Sequence, residues 1–274
     1  MSAVADKAGE EYWSRVWEHS ELPEAISPSS RDINKYPYRR IHQYFKEKLS
    51  GMETQGKTLL EVGCGNSVWL TYFAKEFGFK VYGIDYSEYG CEQTKAILKR
   101  DGVEGEIYCA DLFSPPEPLL GCFDFVISLG VAEHFSDTSN TLAGISKFLK
   151  PGGILITTVP NLSGLIGFLQ KKFNRPVYDI HIPMDKKHLG DALVKAGLKI
   201  INIKYLISIG FPLTLEGKNG TIQHYNLKKK IVLMLSRLGK IIWFWESFSG
   251  TFPETRLFSM AIFSIAQKPK TDKL

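Results

Sequence analysis

Cysteine is scarce in this chain of 274 residues, and the four present (Cys64, Cys91, Cys109 and Cys122) are widely spaced with no CxxC pair. That spacing argues against a zinc knot and a disulfide framework, and it suits a reducing compartment. Charge of one sign is equally scarce: the formal net charge is only +5, which does not by itself suggest a nucleic-acid partner. The opening residues MSAVADKAGEEYW lack the basic stretch and following apolar run of a signal peptide. No window approaches the roughly eighteen uncharged apolar residues that a spanning helix needs. Internal repeats and low-complexity segments are missing too. These absences predict a soluble, cytoplasmic protein. The hydrophobic fraction of 44% suffices for one well-filled core with attachments, or at most two small domains.

What is present is an alternation. Short apolar runs at Leu59–Val62, Lys80–Ile84, Gly105–Cys109, Phe123–Ser128 and Gly153–Val159 read as strands. Amphipathic stretches at Ser67–Phe77, Tyr89–Arg100 and Thr138–Leu149 separate them and read as helices. Such alternation predicts a parallel sheet covered by helices on both faces. A helix over Lys186–Ala196 and strands over Leu198–Leu206 and Leu257–Ala266 complete the pattern. Four segments follow: a helical, aromatic and basic cap (1–50), a core (51–207), an insertion expected to act as a lid (208–255), and a final strand with its tail (256–274). The insertion carries YNLKKKIVLMLSRLGKIIWFWESF, apolar at helical spacing with a basic flank. A peripheral membrane contact is the alternative to a lid.

The stretch LLEVGCGNS, residues 59–67, ends the first strand in a turn almost without side chains. A phosphate-binding loop would need a lysine that does not follow. A dinucleotide site would want a third glycine where Val68 stands. A nucleoside without phosphates fits better. Its amino-acid part would lie on the Gly63-Cys64-Gly65 backbone. Asp85, ending VYGID 20 residues after Gly65, would take the ribose hydroxyls. Asp111 in YCAD would accept from an exocyclic adenine amine.

These residues resemble the class I S-adenosylmethionine-dependent methyltransferases over about residues 57–206. Glu61 to Ser67 looks like the family's first motif, Asp85 stands at its ribose position, and Asp111-Leu112 is similar to its adenine-binding pair. FDFVISLGVAEHF resembles the fourth-strand motif, and LKPGG the pattern before the fifth strand. The resemblance implies a Rossmann-like, seven-stranded, mainly parallel sheet and S-adenosylmethionine as cofactor. It extends the candidate cofactor contacts to Glu61, Cys64, Asn66, Tyr86, Ser87, Leu129 and Gly130. Tyr12, Trp17 or Tyr38 could close over the cationic sulfur through an aromatic face, and Arg39 could pair with the carboxylate.

Within the family, Glu-His after the fourth strand is similar to small-molecule enzymes such as quinone O-methyltransferases. The resemblance therefore implies methyl transfer to an oxygen of a small molecule or peptide, with nitrogen and carbon acceptors open. A SAM-binding regulatory protein without catalysis is the reading of another class. His134 is the first candidate base, because imidazole titrates near neutral pH, and an acid limb near pH 6–7 is expected. His181 in YDIHIP is its rival. A metal is not expected: Glu133 and His134 offer two ligands and nothing near them in sequence offers a third. His19, His42, His188 and His224 read as solvated. The oligomeric state is not legible.

Overall fold

The computed structural model describes residues 4–215 and 222–270. Its strands are β1 (Thr58–Val62), β2 (Lys80–Asp85), β3 (Gly105–Cys109), β4 (Phe123–Leu129), β5 (Leu149–Pro160), β6 (Lys199–Leu206) and β7 (Ala261–Gln267). They form one seven-stranded sheet in the order β3-β2-β1-β4-β5-β7-β6. Only β7 runs antiparallel to its neighbours. The order reverses between β1 and β4, so a ligand crevice belongs outside the carboxyl ends of those two strands.

Nine helices are described: α1 (Glu10–Glu18), α2 (Tyr36–Leu49), α3 (Trp69–Phe77), α4 (Glu88–Asp101), α5 (Thr138–Ser146), α6 (Leu165–Phe173), α7 (Arg175–Asp179), α8 (Lys186–Lys195) and α9 (Ile222–Ser249). Successive strand residues feed opposite faces of the sheet. Leu60 and Val126 pack under α5 and α8 with Leu142, Ile145 and Leu189. Leu59 and Ile127 pack on the other side with Phe45, Leu70 and Phe73. Both faces are therefore buried, which is why the strands read as unbroken apolar runs. α3 and α4 stop where Gly78 (φ 72°) and Gly102 (φ 65°) adopt the left-handed conformation.

Several boundaries differ from the sequence reading. β5 starts at Leu149, taking Lys150-Pro151-Gly152-Gly153 into the strand where the register with β4 shifts. α5 therefore ends at Ser146. β7 begins at Ala261 rather than Leu257, and α6 and α7 escaped the reading. The expected N-terminal cap divides in two. α2 is part of the core: Phe45 is fully buried, 5.1 Å from Phe73 and 6.0 Å from Phe263 between ring centroids. α1 buries no residue in the core and lies at the crevice.

The insertion forms the expected helix, α9. Tyr36 donates to Glu246 Oε2 (2.8 Å), Trp243 stacks on Tyr36 (5.7 Å), and Trp243 Nε1 donates to the Ile209 carbonyl (2.6 Å). These contacts fasten α9 to the start of α2. No described residue of 208–255 lines the recess at the glycine turn. Residues 216–221, the side chain of His224 and the tail from 271 onward lie outside them.

α8 begins at Asp185, whose carboxylate accepts from His188 N (2.9 Å) and pairs with the His188 ring and with Arg256. Those bonds hold its pKa below the usual carboxylate value despite partial burial. Asp185→Ala is expected to cost about 1 kcal/mol, as for other lost N-caps, read as a lower urea midpoint at unchanged slope. A depressed folded pKa means that this stabilisation is present above about pH 4, the unfolded carboxyl's range, and fades as pH falls below it. The difference between variant and parent should therefore shrink towards pH 3.

Candidate functional site

β1 delivers the chain into the turn at Gly63, whose φ of 75° only glycine adopts freely. A Cβ there would meet Val131 Cγ2 at 2.4 Å, so β1 and the loop after β4 can close together only with glycine at this position. Gly65 N donates to Asp85 Oδ2 (2.9 Å) and Ser87 N to Asp85 Oδ1 (2.8 Å). The acid at the end of β2 thus orders the glycine loop and the start of α4 together. Burial raises the Asp85 pKa while these two bonds oppose the rise.

The recess beside this loop is a narrow, partly open cavity of about 60 Å³. Gly63, Asp85, Tyr86, Leu112, Gly130 and His134 line it, as does Trp17; these are sequence candidates brought together. The chain assembles them because β1, β2 and β4 are neighbours whose carboxyl ends coincide.

Other candidates lie elsewhere. Glu61 is buried behind the loop, accepting from Ser67 Oγ at 2.9 and 2.7 Å. Burial pushes its pKa up to about 8 against those bonds. Cys64 turns inward, its sulfur against Gly83. Asn66 holds φ 54° and reaches the Glu21 carbonyl. Ser87 caps α4, accepting from Gly90 N, and receives a bond from Ser14 Oγ.

Asp111 is exposed and accepts from Phe113 N (2.8 Å); its neighbours Ala110 and Leu112 line the recess in its place. Leu129 is absent from the lining, where Gly130 stands. Arg39 donates to the Ser30 and Asp32 carbonyls (both 2.7 Å), and Tyr38 packs near Trp69. Neither lines the recess, because α2 belongs to the core layer.

Trp13, rather than Tyr12, faces inward from α1. It stacks on Trp17 (5.4 Å) and meets His134 edge-on (5.1 Å), whereas Tyr12 only packs on Trp13. The spacing of four between Trp13 and Trp17 puts both on one helix face and was the signal available in sequence. Asp6 was not foreseeable. The N-terminal strand segment bridges Phe135, Lys7 N donates to the His134 carbonyl (2.8 Å), and Tyr86 donates to Asp6 Oδ2 (3.0 Å).

The two candidate bases meet: the His134 and His181 rings lie 4.4 Å apart. Their Nδ1 atoms bond the carbonyls of Ile180 (3.0 Å) and Val177 (2.6 Å). A carbonyl only accepts, so each Nδ1 carries the proton and each Nε2 keeps its lone pair. Burial, together with the His181 ring, pushes the His134 pKa down to about 4. Burial likewise lowers that of His181, which does not itself line the recess.

Glu133 stands next to them with its pKa pushed up to about 8 by burial and Oε2 unpartnered. Ligand atoms of Glu133, His134 and His181 all lie within 4.8 Å of one another. The sequence argument against a metal assumed no third ligand, and folding supplies one. Of the remaining histidines, His19 and His188 are exposed. His42 is half-buried against Tyr72, not solvated as expected.

Comparison with known proteins extends this picture. Residues 31–203 match the model of the methyltransferase domain family. A ribosomal protein L11 methyltransferase of Thermosipho africanus is 35% identical over 112 residues, 40% of this chain and 38% of that protein. A ubiquinone biosynthesis O-methyltransferase of Thiobacillus denitrificans is 30% identical over 122 residues, 42% of this chain and 51% of that protein. The match thus spans about half the length of these relatives or less. The geranyl diphosphate C-methyltransferase of Streptomyces coelicolor A3(2) superposes with a TM-score of 0.58 at 15% identity, covering 94% of this chain and 98% of that one. At such identity the likeness speaks for the fold. With that fold, the glycine turn and Asp85 in place, the chain belongs to the methyltransferase domain family, of the class I S-adenosylmethionine-dependent kind.

Proposed function

We propose that this protein transfers a methyl group from S-adenosylmethionine to an oxygen nucleophile of a small molecule or peptide. The observation that carries the reading is the pair of imidazoles at the carboxyl edge of the sheet, both presenting a free Nε2, with His134 in the wall of the recess formed by the glycine turn and Asp85. The residues fit the cofactor. Asp85 offers a carboxylate to ribose hydroxyls, and Trp13 and Trp17, the latter set against Gly65, supply aromatic faces for a cation. When bound, S-adenosylmethionine supplies a methyl group already activated by a positive sulfur.

The chain then has three tasks. It aligns the acceptor oxygen for in-line attack. It excludes water, which α1 does by laying Trp13 and Trp17 across the recess. It accepts the hydroxyl proton at His134 Nε2, the lone pair being available because Nδ1 is committed to Ile180. A carboxylate acceptor would need no such base.

The relatives do not agree on an acceptor: one is named for a ribosomal protein, one for a quinone oxygen, and one structural neighbour for a carbon. Transfer to nitrogen or carbon is therefore the second reading, and the imidazole pair favours oxygen over it.

Calorimetry tests the foundation. S-adenosylhomocysteine should bind one-to-one while NAD gives no heat, since a bulky Val68 stands where a pyrophosphate site wants glycine. NAD binding without S-adenosylhomocysteine binding would overturn the assignment. A chelator then separates base from metal. With His134 as base, EDTA leaves turnover unchanged and added Zn²⁺ slows it by occupying Nε2. Loss of turnover in EDTA with recovery on metal addition would replace the base by a metal held on Glu133, His134 and His181.

A further inference from the structure

α9 carries more apolar surface than its packing uses. Leu227, Met234, Leu238, Ile241, Trp245 and Phe248 recur at steps of seven, four, three, four and three residues, which keeps them on one face of a helix. All six are exposed, Met234 at 61%, Trp245 at 62% and Phe248 at 77% of their full accessibility. The opposite side of the helix packs on the protein through Trp243 and Glu246, so the exposed stripe is not the core-facing side. Isolated surface leucines need no explanation; a continuous stripe rich in aromatics does.

Charge decides what covers it. α9 bears five basic side chains, Lys228, Lys229, Lys230, Arg237 and Lys240, and one acid, Glu246. Glu246 is buried and engaged by Tyr36, Ser208 and the Phe252 amide. The outward surface is therefore apolar and cationic. A second copy of the same helix would bring five more cations against the first five, which disfavours self-pairing. An anionic lipid surface satisfies both features, with the ring-bearing stripe in the acyl boundary and the lysines at the headgroups. No described helix is long and apolar enough to cross a membrane, and the cations interrupting α9 suit a helix lying in the interface.

From this we infer that α9 is a membrane-docking helix that binds anionic bilayers peripherally. The inference does not rest on the methyl-transfer reading. It adds a direction to it: the insertion leaves β6 at Leu206, and β6 runs parallel to β5 and β4 through their common neighbour β7. Its carboxyl end therefore lies at the sheet edge that carries the recess. Docking would present that edge towards lipid, the phase in which an apolar acceptor is found.

The test uses the full chain with vesicles of phosphatidylcholine alone or mixed with phosphatidylglycerol. Co-sedimentation is expected only with the anionic vesicles, with a blue shift in tryptophan emission that is lost in Trp245→Glu. Phe248→Glu should also abolish binding, and both side chains are exposed enough for the fold to survive; an unchanged S-adenosylhomocysteine affinity or circular dichroism spectrum verifies that. Replacing Lys228, Lys229 and Lys230 by Gln should weaken binding about 100-fold, from about 1 kcal/mol per lysine near an anionic surface. Absence of binding to anionic vesicles at low salt overturns the inference. So does equal binding to neutral ones. A concentration-dependent dimer in sedimentation that Phe248→Glu dissociates would assign the stripe to a second copy instead.

Discussion

Turnover in His134→Ala should fall about 10²-fold, with S-adenosylhomocysteine affinity little changed. General bases contribute about 10²–10⁴-fold, and the lower end applies here because burial pushes the His134 pKa down to about 4. A weakly basic imidazole takes a hydroxyl proton with less driving force. The same shift moves the acid limb. An ordinary histidine would lose activity below pH 6–7, whereas this one stays neutral, and therefore competent, until about pH 4. The wild-type rate should be flat from neutrality to about pH 5 and fall below it.

Folding follows a linked course. A histidine whose folded pKa is depressed contributes stability that is present above the unfolded value near 6.5 and is lost as pH falls towards 4. The pH–rate profile must therefore be normalised to the folded fraction, and His134→Ala should be the more acid-resistant protein. A variant within a few-fold of the parent would remove His134 as base and point to His181 or to an acceptor that is already ionised.

Asp85→Ala should weaken S-adenosylhomocysteine binding about 10- to 150-fold, the equivalent of about 1.5–3 kcal/mol for a charge-assisted hydrogen-bonded contact. The structure adds a second reason. This carboxylate also holds Gly65 N and Ser87 N, so its removal loosens the loop on which the amino-acid part would lie. Asp85→Asn keeps one acceptor for either Gly65 N or Ser87 N but sets its amide N–H₂ against the other donor, so it loses the charge and one loop bond and its loss should approach that of Asp85→Ala. Because burial raises the Asp85 pKa, parent affinity should begin to fall at a pH above the ordinary carboxylate range. Unchanged affinity in a folded Asp85→Ala protein would sink the cofactor assignment.

Local chemistry made much of this legible in sequence. The strands read as apolar runs because helices bury both faces of the sheet, and β3 was located to the residue at Gly105–Cys109. Gly63 and Asp85 were legible for a related reason: a turn that needs positive φ and an acid ending the next strand are fixed by backbone geometry and register. Side-chain direction was not. Asp111 sits where expected along the chain, yet its carboxylate turns back to its own loop at Phe113 N. Arg39 belongs to a helix that packs into the core, so its charge is satisfied by carbonyls far from the recess.

The rest depends on elements distant in sequence meeting in space. Glu133 and His134 follow β4 while His181 follows α7, and only the tertiary fold sets the two rings 4.4 Å apart and completes a three-ligand cluster that the linear chain hides. Likewise the composition of the insertion announced an amphipathic helix, but not which face it would bury. Tyr36, Ser208 and Glu246 decide that, pinning one side of α9 against α2 and leaving the aromatic side to solvent. Periodicity depends on one residue and its near neighbours, and the sequence carries it whole. Which face is satisfied depends on what else the fold brings there, and that information is held by the contacts alone.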